Sequence, residues 1–235
     1  MATFVLVHGA WQGGWCWKRV ATRLRQLGHE VFTPTMTGLG ERAHLLDEKI
    51  DLDTHIQDIL GVIRCEELSD IVLCGHSYGG MVITGVADTV PEQISALVYL
   101  DALLPTDGQN VLDLLPVEAA NDFREVARTT GSGYRVAPGA AEAFGVNPQD
   151  QAWVDRQCVD HPFKTFKQPI HQEDNWKHVD QLIYILAAGW SPGVGSPFFE
   201  KVRQEPGWGA ISLPCGNDLM FDMPQELTDL LLTAI

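Results

Sequence analysis

The chain has 235 residues, of which 45% are hydrophobic and 20% charged, with a formal net charge of -15. That composition suits a soluble globular protein long enough for one α/β domain. The excess of carboxylates argues against nucleic acid or an anionic membrane as partner. No apolar run reaches the length of a membrane span, and Met1-Ala2-Thr3 leads into a strand without a basic, cleavable leader, so a cytoplasmic protein is expected. Five widely spaced cysteines without a C-x-x-C pair read as reduced thiols, with no zinc site.

Thr3–Val7 is a short apolar strand, broken by the glycine-rich turn His8-Gly9-Ala10-Trp11-Gln12-Gly13-Gly14. Trp17, Val20, Ala21, Leu24 and Leu27 recur at helical spacing, and Gly28 stands where a left-handed cap residue is expected. Glu30–Pro34 reads as the next strand and Thr54–Glu66 as an amphipathic helix. Ile71–Cys74 is a buried-type strand, followed by a tight, small-residue turn and an apolar helix running to about Asp88. Ile94–Asp101 is another buried-type strand.

Such strand–helix alternation calls for right-handed crossovers and a mostly parallel sheet flanked by helices. From Thr106 to His178 only helical fragments remain, as at Glu118–Thr129 and Pro148–Asp160. That stretch reads as a helical cap, residues 106–178, inserted into a core formed by residues 1–105 and 179–235. Its expected place is over the strand ends, where open α/β sheets bind ligands. Leu182–Ala187 and Gly209–Leu213 resume the sheet, with a short helix at Phe198–Gln204 between them and Pro224–Thr233 as the closing helix.

The chemistry is concentrated in Gly75-His76-Ser77-Tyr78-Gly79. A Gly-x-Ser-x-Gly pattern between a strand and a helix lifts the serine hydroxyl on a sharp turn, because a side chain at either glycine would strike neighbouring backbone. The turn also sets Ser77 at a helix N-terminus, where free N–H groups favour developing negative charge.

Together with His8-Gly9-Ala10-Trp11 and Gly216-Asn217-Asp218-Leu219-Met220, this motif resembles the α/β-hydrolase superfamily. Within it the chain is similar to the methylesterase and hydroxynitrile-lyase-like branch and its bacterial esterase relatives. The resemblance covers nearly the whole chain and is weakest in the cap. It implies Ser77 as nucleophile and the backbone N–H groups of Ala10 and Tyr78 as oxyanion hole. It also implies that His8 braces the oxyanion loop. His76, adjacent to the serine, is expected to serve as a loop brace or pocket wall.

The same resemblance exposes two departures. Relatives supply a histidine from the loop after the last strand, and here Asn217 stands at that position, an amide unable to accept a proton near neutral pH. Three accounts are open: an engineered replacement in an otherwise active hydrolase, a natural shift toward binding or a weaker reaction, or a base drawn from His44, His55, His161, His171 or His178. The orienting aspartate common after the strand at Tyr184–Trp190 is also absent. Asp101, at the end of the strand following the nucleophile helix, is the candidate acid, with Glu200 a weaker one and Asp218 expected to hold the terminal loop.

Trp11, Tyr78, Leu103 and Leu104 are expected on one wall of the cleft. Phe144, Trp153, Phe163, Phe166 and Trp176 are expected from the cap, about half of them serving its own core. Such a pocket suits a small, aromatic ester or carbamate. The expected function is therefore a serine hydrolase acting through an acyl-enzyme on Ser77 and disabled at Asn217, as a monomer or homodimer with no metal or cofactor. The alternatives are a hydroxynitrile-lyase-type C–C lyase and a non-catalytic small-ligand binder.

Overall fold

A computed structural model describes residues 1–190 and 193–235. In chain order the strands are β1 (Thr3–Val7), β2 (Glu30–Phe32), β3 (Ile71–His76), β4 (Ile94–Leu100), β5 (Arg135–Val136), β6 (His161–Pro162), β7 (Gln181–Ala187) and β8 (Trp208–Leu213). The helices are α1 (Lys18–Gln26), α2 (Leu52–Cys65), α3 (Gly79–Thr89), α4 (Val111–Leu114), α5 (Val117–Thr129), α6 (Pro148–Gln157), α7 (Lys164–Lys167), α8 (Ser196–Val202), α9 (Leu219–Asp222) and α10 (Pro224–Leu231). Six strands form one sheet in the order β2-β1-β3-β4-β7-β8, every pair parallel.

Strict alternation along the strands divides the interior into two cores. Val5, Val7, Leu73, Leu97 and Tyr99 face the same side as Ile56 and Ile59 of α2 and Val82, Ile83 and Val86 of α3. Phe4, Leu6, Val72, Cys74 and Val98 face α1 and α10, against Val20, Leu24, Leu227 and Leu231. With both faces covered, every residue of β3 is buried, which explains its unbroken apolar run. Local signals hold the helix ends: Asp51 and Thr54 make reciprocal capping bonds that start α2 two residues before Thr54, and Gly28 follows α1 at φ +85°.

The strand order reverses at β1, whose neighbours are β2 on one side and β3 on the other. The crevice beyond the carboxyl ends of β1 and β3 is therefore the topological switch point, and it brings the turn at His8–Gln12 beside Ser77. Residues 106–178 are mainly helical, but β5 and β6 also pair there as a small antiparallel ladder, Val136 opposite His161. Two-residue strands are too short to leave a periodic signature in the sequence.

Candidate active site

Ser77 sits at φ +51°, in the left-handed region, between β3 and α3. Its N–H donates to the Leu100 carbonyl at 3.1 Å, and its own carbonyl accepts from Gly80 and Leu103 at 3.1 Å each. A Cβ at Gly75 would come within 2.7 Å of the Gly79 carbonyl oxygen, one at Gly79 within 2.9 Å of the His8 oxygen, and one at Gly80 would collide with the Leu103 carbonyl. Backbone strain at the serine is thus held by its surroundings rather than relaxed. Ser77 is half-buried where its neighbours His76 and Tyr78 are buried.

The turn after β1 is fastened from several directions. His8 Nδ1–H donates to the Gly9 carbonyl at 2.8 Å while Nε2 accepts the Met36 N–H at 3.1 Å. Complete burial lowers its pKa to about 3, so the ring is a neutral brace. Trp11, at φ +63°, donates its backbone N–H to His161 Nδ1 at 3.2 Å and its indole N–H to the Val136 carbonyl at 2.9 Å, tying the turn to β5 and β6. The backbone N–H groups of Ala10 and Tyr78 donate to no protein acceptor among the described residues.

Asp101 follows β4 at φ +43° and is completely buried. Asn217, 116 positions away and also buried, donates Nδ2–H to Asp101 Oδ2 at 2.7 Å. The Ala187 N–H approaches Asp101 Oδ1 at 3.4 Å. Burial raises the Asp101 pKa, and the Asn217 amide opposes that shift. The Asn217 backbone is pinned in turn, its N–H donating to the Phe144 carbonyl at 2.9 Å and its carbonyl accepting from His76 Nε2 at 3.0 Å. With its proton on Nε2, His76 leaves Nδ1 as a buried acceptor without a partner, and burial lowers its pKa to about 4. His76 is thus the link between the turn at Ser77 and the Asn217 loop.

Asp218 Oδ1 accepts from Gln12 Nε2 at 2.6 Å and lies 3.9 Å from His76 Nε2. Burial drives the Asp218 pKa up to about 7. Nothing in the sequence marks Gln12 and Asp218 as a pair. The one hint is the position of Gln12, two residues beyond Ala10 in the turn after β1.

Ser77, Ala10, Trp11, Gln12, His76, Asn217 and Asp218 border one pocket, closed on its far side by Pro138, Gly139, Ala141, Phe144, Val154 and Cys158. The pocket is narrow, enclosing about 30 Å³. Of the residues expected at the pocket, Trp11 and Phe144 line it, whereas Tyr78, Leu103, Leu104, Trp153, Phe163, Phe166 and Trp176 do not. Leu103 is buried under the turn at Ser77, donating its N–H to the Ser77 carbonyl. Trp153 packs edge-on against Trp15 and Phe221, with ring centroids at 5.1 and 5.3 Å. Trp176 is core, against Tyr99 and Trp208. Each packs against apolar or aromatic neighbours, which the burial of apolar surface favours. The Tyr78 ring also turns away, its hydroxyl 3.0 Å from His55 Nδ1.

The other histidines are spent or distant. His55 bonds Tyr78 and the Thr37 carbonyl, and His161 bonds Trp11 and Thr165. His44, His171 and His178 are exposed, as is Glu200, which pairs with Arg203 on α8. Among the described residues no group of three or more His, Cys, Asp or Glu side chains gathers as a metal site, and no helix is long and apolar enough to cross a membrane.

The parallel sheet, the sharp strand–turn–helix around Ser77 at its switch point and the pocket beside it define an α/β-hydrolase architecture. The chain belongs to the Alpha/beta hydrolase family, whose profile matches residues 4–230. It is 46% identical to a carbendazim hydrolyzing esterase of Nocardioides sp. (strain SG-4G), covering 97% of this chain and 98% of that one. It is 30% identical to Esterase PIR7B of Oryza sativa subsp. japonica over 97% of this chain and 94% of the relative. Among solved structures, an extracellular alpha/beta-hydrolase from a Paenibacillus species superposes with a TM-score of 0.82 at 23% identity, covering 100% of this chain and 99% of the other.

Proposed function

We propose that the chain is a serine esterase scaffold for small aromatic esters or carbamates whose chemical step is disabled at Asn217. The observation that carries this reading is the 2.7 Å bond from Asn217 Nδ2 to the buried Asp101 carboxylate, beside the pocket that holds Ser77. In a serine triad the acid accepts a hydrogen bond from the base's inner nitrogen and so orients it toward the hydroxyl. Asn217 supplies that inner donor and nothing beyond it: its amide has no second nitrogen to reach on toward Ser77. Asp101 is accordingly assigned as the acid, Ala10 and Tyr78 as the oxyanion donors, and residues 106–178 as the cap.

With a histidine at position 217 the reaction would run as an acyl transfer. Ser77 Oγ attacks the substrate carbonyl carbon as its proton passes to the imidazole. The oxyanion is received by the Ala10 and Tyr78 N–H groups, and the alkoxide leaves with the proton. Water then attacks the acyl-enzyme by the same route, releasing the acid and restoring the serine. With Asn217 the first proton has no acceptor.

The test is the hydrolysis of short aromatic methyl esters and carbamates by the chain before and after Asn217→His. A rise in kcat on the order of a millionfold is expected, the scale on which a serine protease depends on its histidine. A histidine form as inert as the original would overturn the disabled-base account. The 46% identical relative, by its name, hydrolyses carbendazim, which makes that compound a natural substrate to include.

A further inference from the structure

We propose that Gln12 and Asp218 form a recognition pair that selects substrates carrying an N–H donor beside the scissile carbonyl, the pattern of a carbamate ester with a free N–H, over carboxylic esters of the same shape. The inference rests on the esterase reading above and names the substrate feature that the site would prefer.

Both side chains border the same pocket as Ser77 and Ala10, and both are buried, at 5% and 3% exposure. Gln12 Nε2 is committed to Asp218 Oδ1, which fixes the amide and leaves Gln12 Oε1 buried with no donor to satisfy it. His76 Nδ1, on the same pocket, is a second buried acceptor without a partner. Asp218 Oδ2 takes no hydrogen bond among the described residues. The remaining lining is largely apolar, and the free donors, Ala10 N–H and Tyr78 N–H, belong to the proposed oxyanion position.

An unpaired buried acceptor is costly, and a ligand that brings the missing donor recovers that cost. Gln12 and Asp218 line the same small pocket as Ser77 and Ala10, so a substrate carbonyl held there would have these acceptors for neighbours. In a carbamate the atom bonded to the carbonyl carbon is an N–H. In a carboxylic ester it is a CH2 or an aryl carbon, which offers nothing to Gln12 Oε1. Sites built to bond a donor discriminate strongly against analogues without one.

Because the chain as it stands lacks a base, equilibrium binding can be read without turnover. The probes are methyl N-phenylcarbamate, its N-methyl derivative and methyl phenylacetate, titrated by calorimetry into the unmodified chain and into Gln12→Met. The N–H carbamate is expected to bind about tenfold or more tightly than the other two, and Gln12→Met to abolish that preference while leaving methyl phenylacetate within about twofold. Equal affinities for the three probes, failure of the carbamate to bind at millimolar concentration, or a uniform weakening of all three in Gln12→Met would overturn the proposal. Should Gln12→Met fail to fold, Asp218→Asn and the three-probe comparison in the unmodified chain decide it alone. Failure of the esterase reading would show separately, as an inert Asn217→His form. Restored hydrolysis with equal affinities would sink only the donor preference.

Discussion

At the scale of single residues the site is governed by one contact, Asn217 Nδ2 to Asp101 Oδ2. A carboxylate with no exposed surface is tolerated because a donor meets it, and removing the donor leaves the desolvation cost uncovered. Asn217→Ala should therefore destabilise the fold by about 1–3 kcal/mol, whereas Asn217→His, which offers a ring N–H in the same direction, should stay close to the parent. Urea denaturation of the three proteins measures this, and equal midpoints for the alanine and histidine forms would remove the energetic argument for the Asp101 contact. Ser77, Asp101 and Asn217 are each legible in the sequence as candidates, through the Gly-x-Ser-x-Gly motif, a strand end and a departure from the family pattern. Their mutual geometry is not, since positions 101 and 217 are joined only through the folded sheet.

At the scale of elements the sharp turn at Ser77 is possible because β3 and α3 approach at van der Waals limits. Gly80 faces the Leu103 carbonyl, so Gly80→Ala must push the turn and the β4 exit apart, at about 1–3 kcal/mol for overpacking. Gly61, inside α2, has open space where a methyl group would stand, with no neighbouring atom within 4 Å, so Gly61→Ala should stabilise by about 0.4–1 kcal/mol. Thermal unfolding of the two variants should move in opposite directions; a stable Gly80→Ala would show that the turn is looser than its contacts imply. The strands and helices of the sheet layers are readable because their apolar residues recur at fixed periods. The β5–β6 pair is not, being held by its bonds to Trp11 and by the flanking bond from the Phe163 N–H to the Tyr134 carbonyl rather than by its own sequence.

At the scale of the whole molecule, four buried histidines set a pH response. Burial lowers the pKa of His8 to about 3, of His55 and His76 to about 4, and of His161 as well. Between about pH 4 and the unfolded value near 6.5 the unfolded chain binds more protons at these sites, so each costs up to roughly 1.4 kcal/mol per pH unit on acidification. Asp218, raised to about 7, and Asp101, also raised, act with the opposite sign, since the native state holds their protons first. Four sites against two leave a net loss. Urea midpoints should fall from pH 7 to pH 5, and His161→Gln should flatten that fall; a midpoint constant over the interval would mean that the histidines are hydrated.

By itself the sequence determined the layer architecture, the strand–turn–helix around Ser77 and the presence of an amide at position 217, because period, glycine placement and residue chemistry are local properties. The tertiary structure alone decided which carboxylate meets Asn217, that Trp153 and Trp176 are spent on packing, and that Gln12 and Asp218 share the pocket. Those outcomes depend on distances between segments far apart in the chain, and such distances exist only once the sheet has brought its strand ends to a common edge.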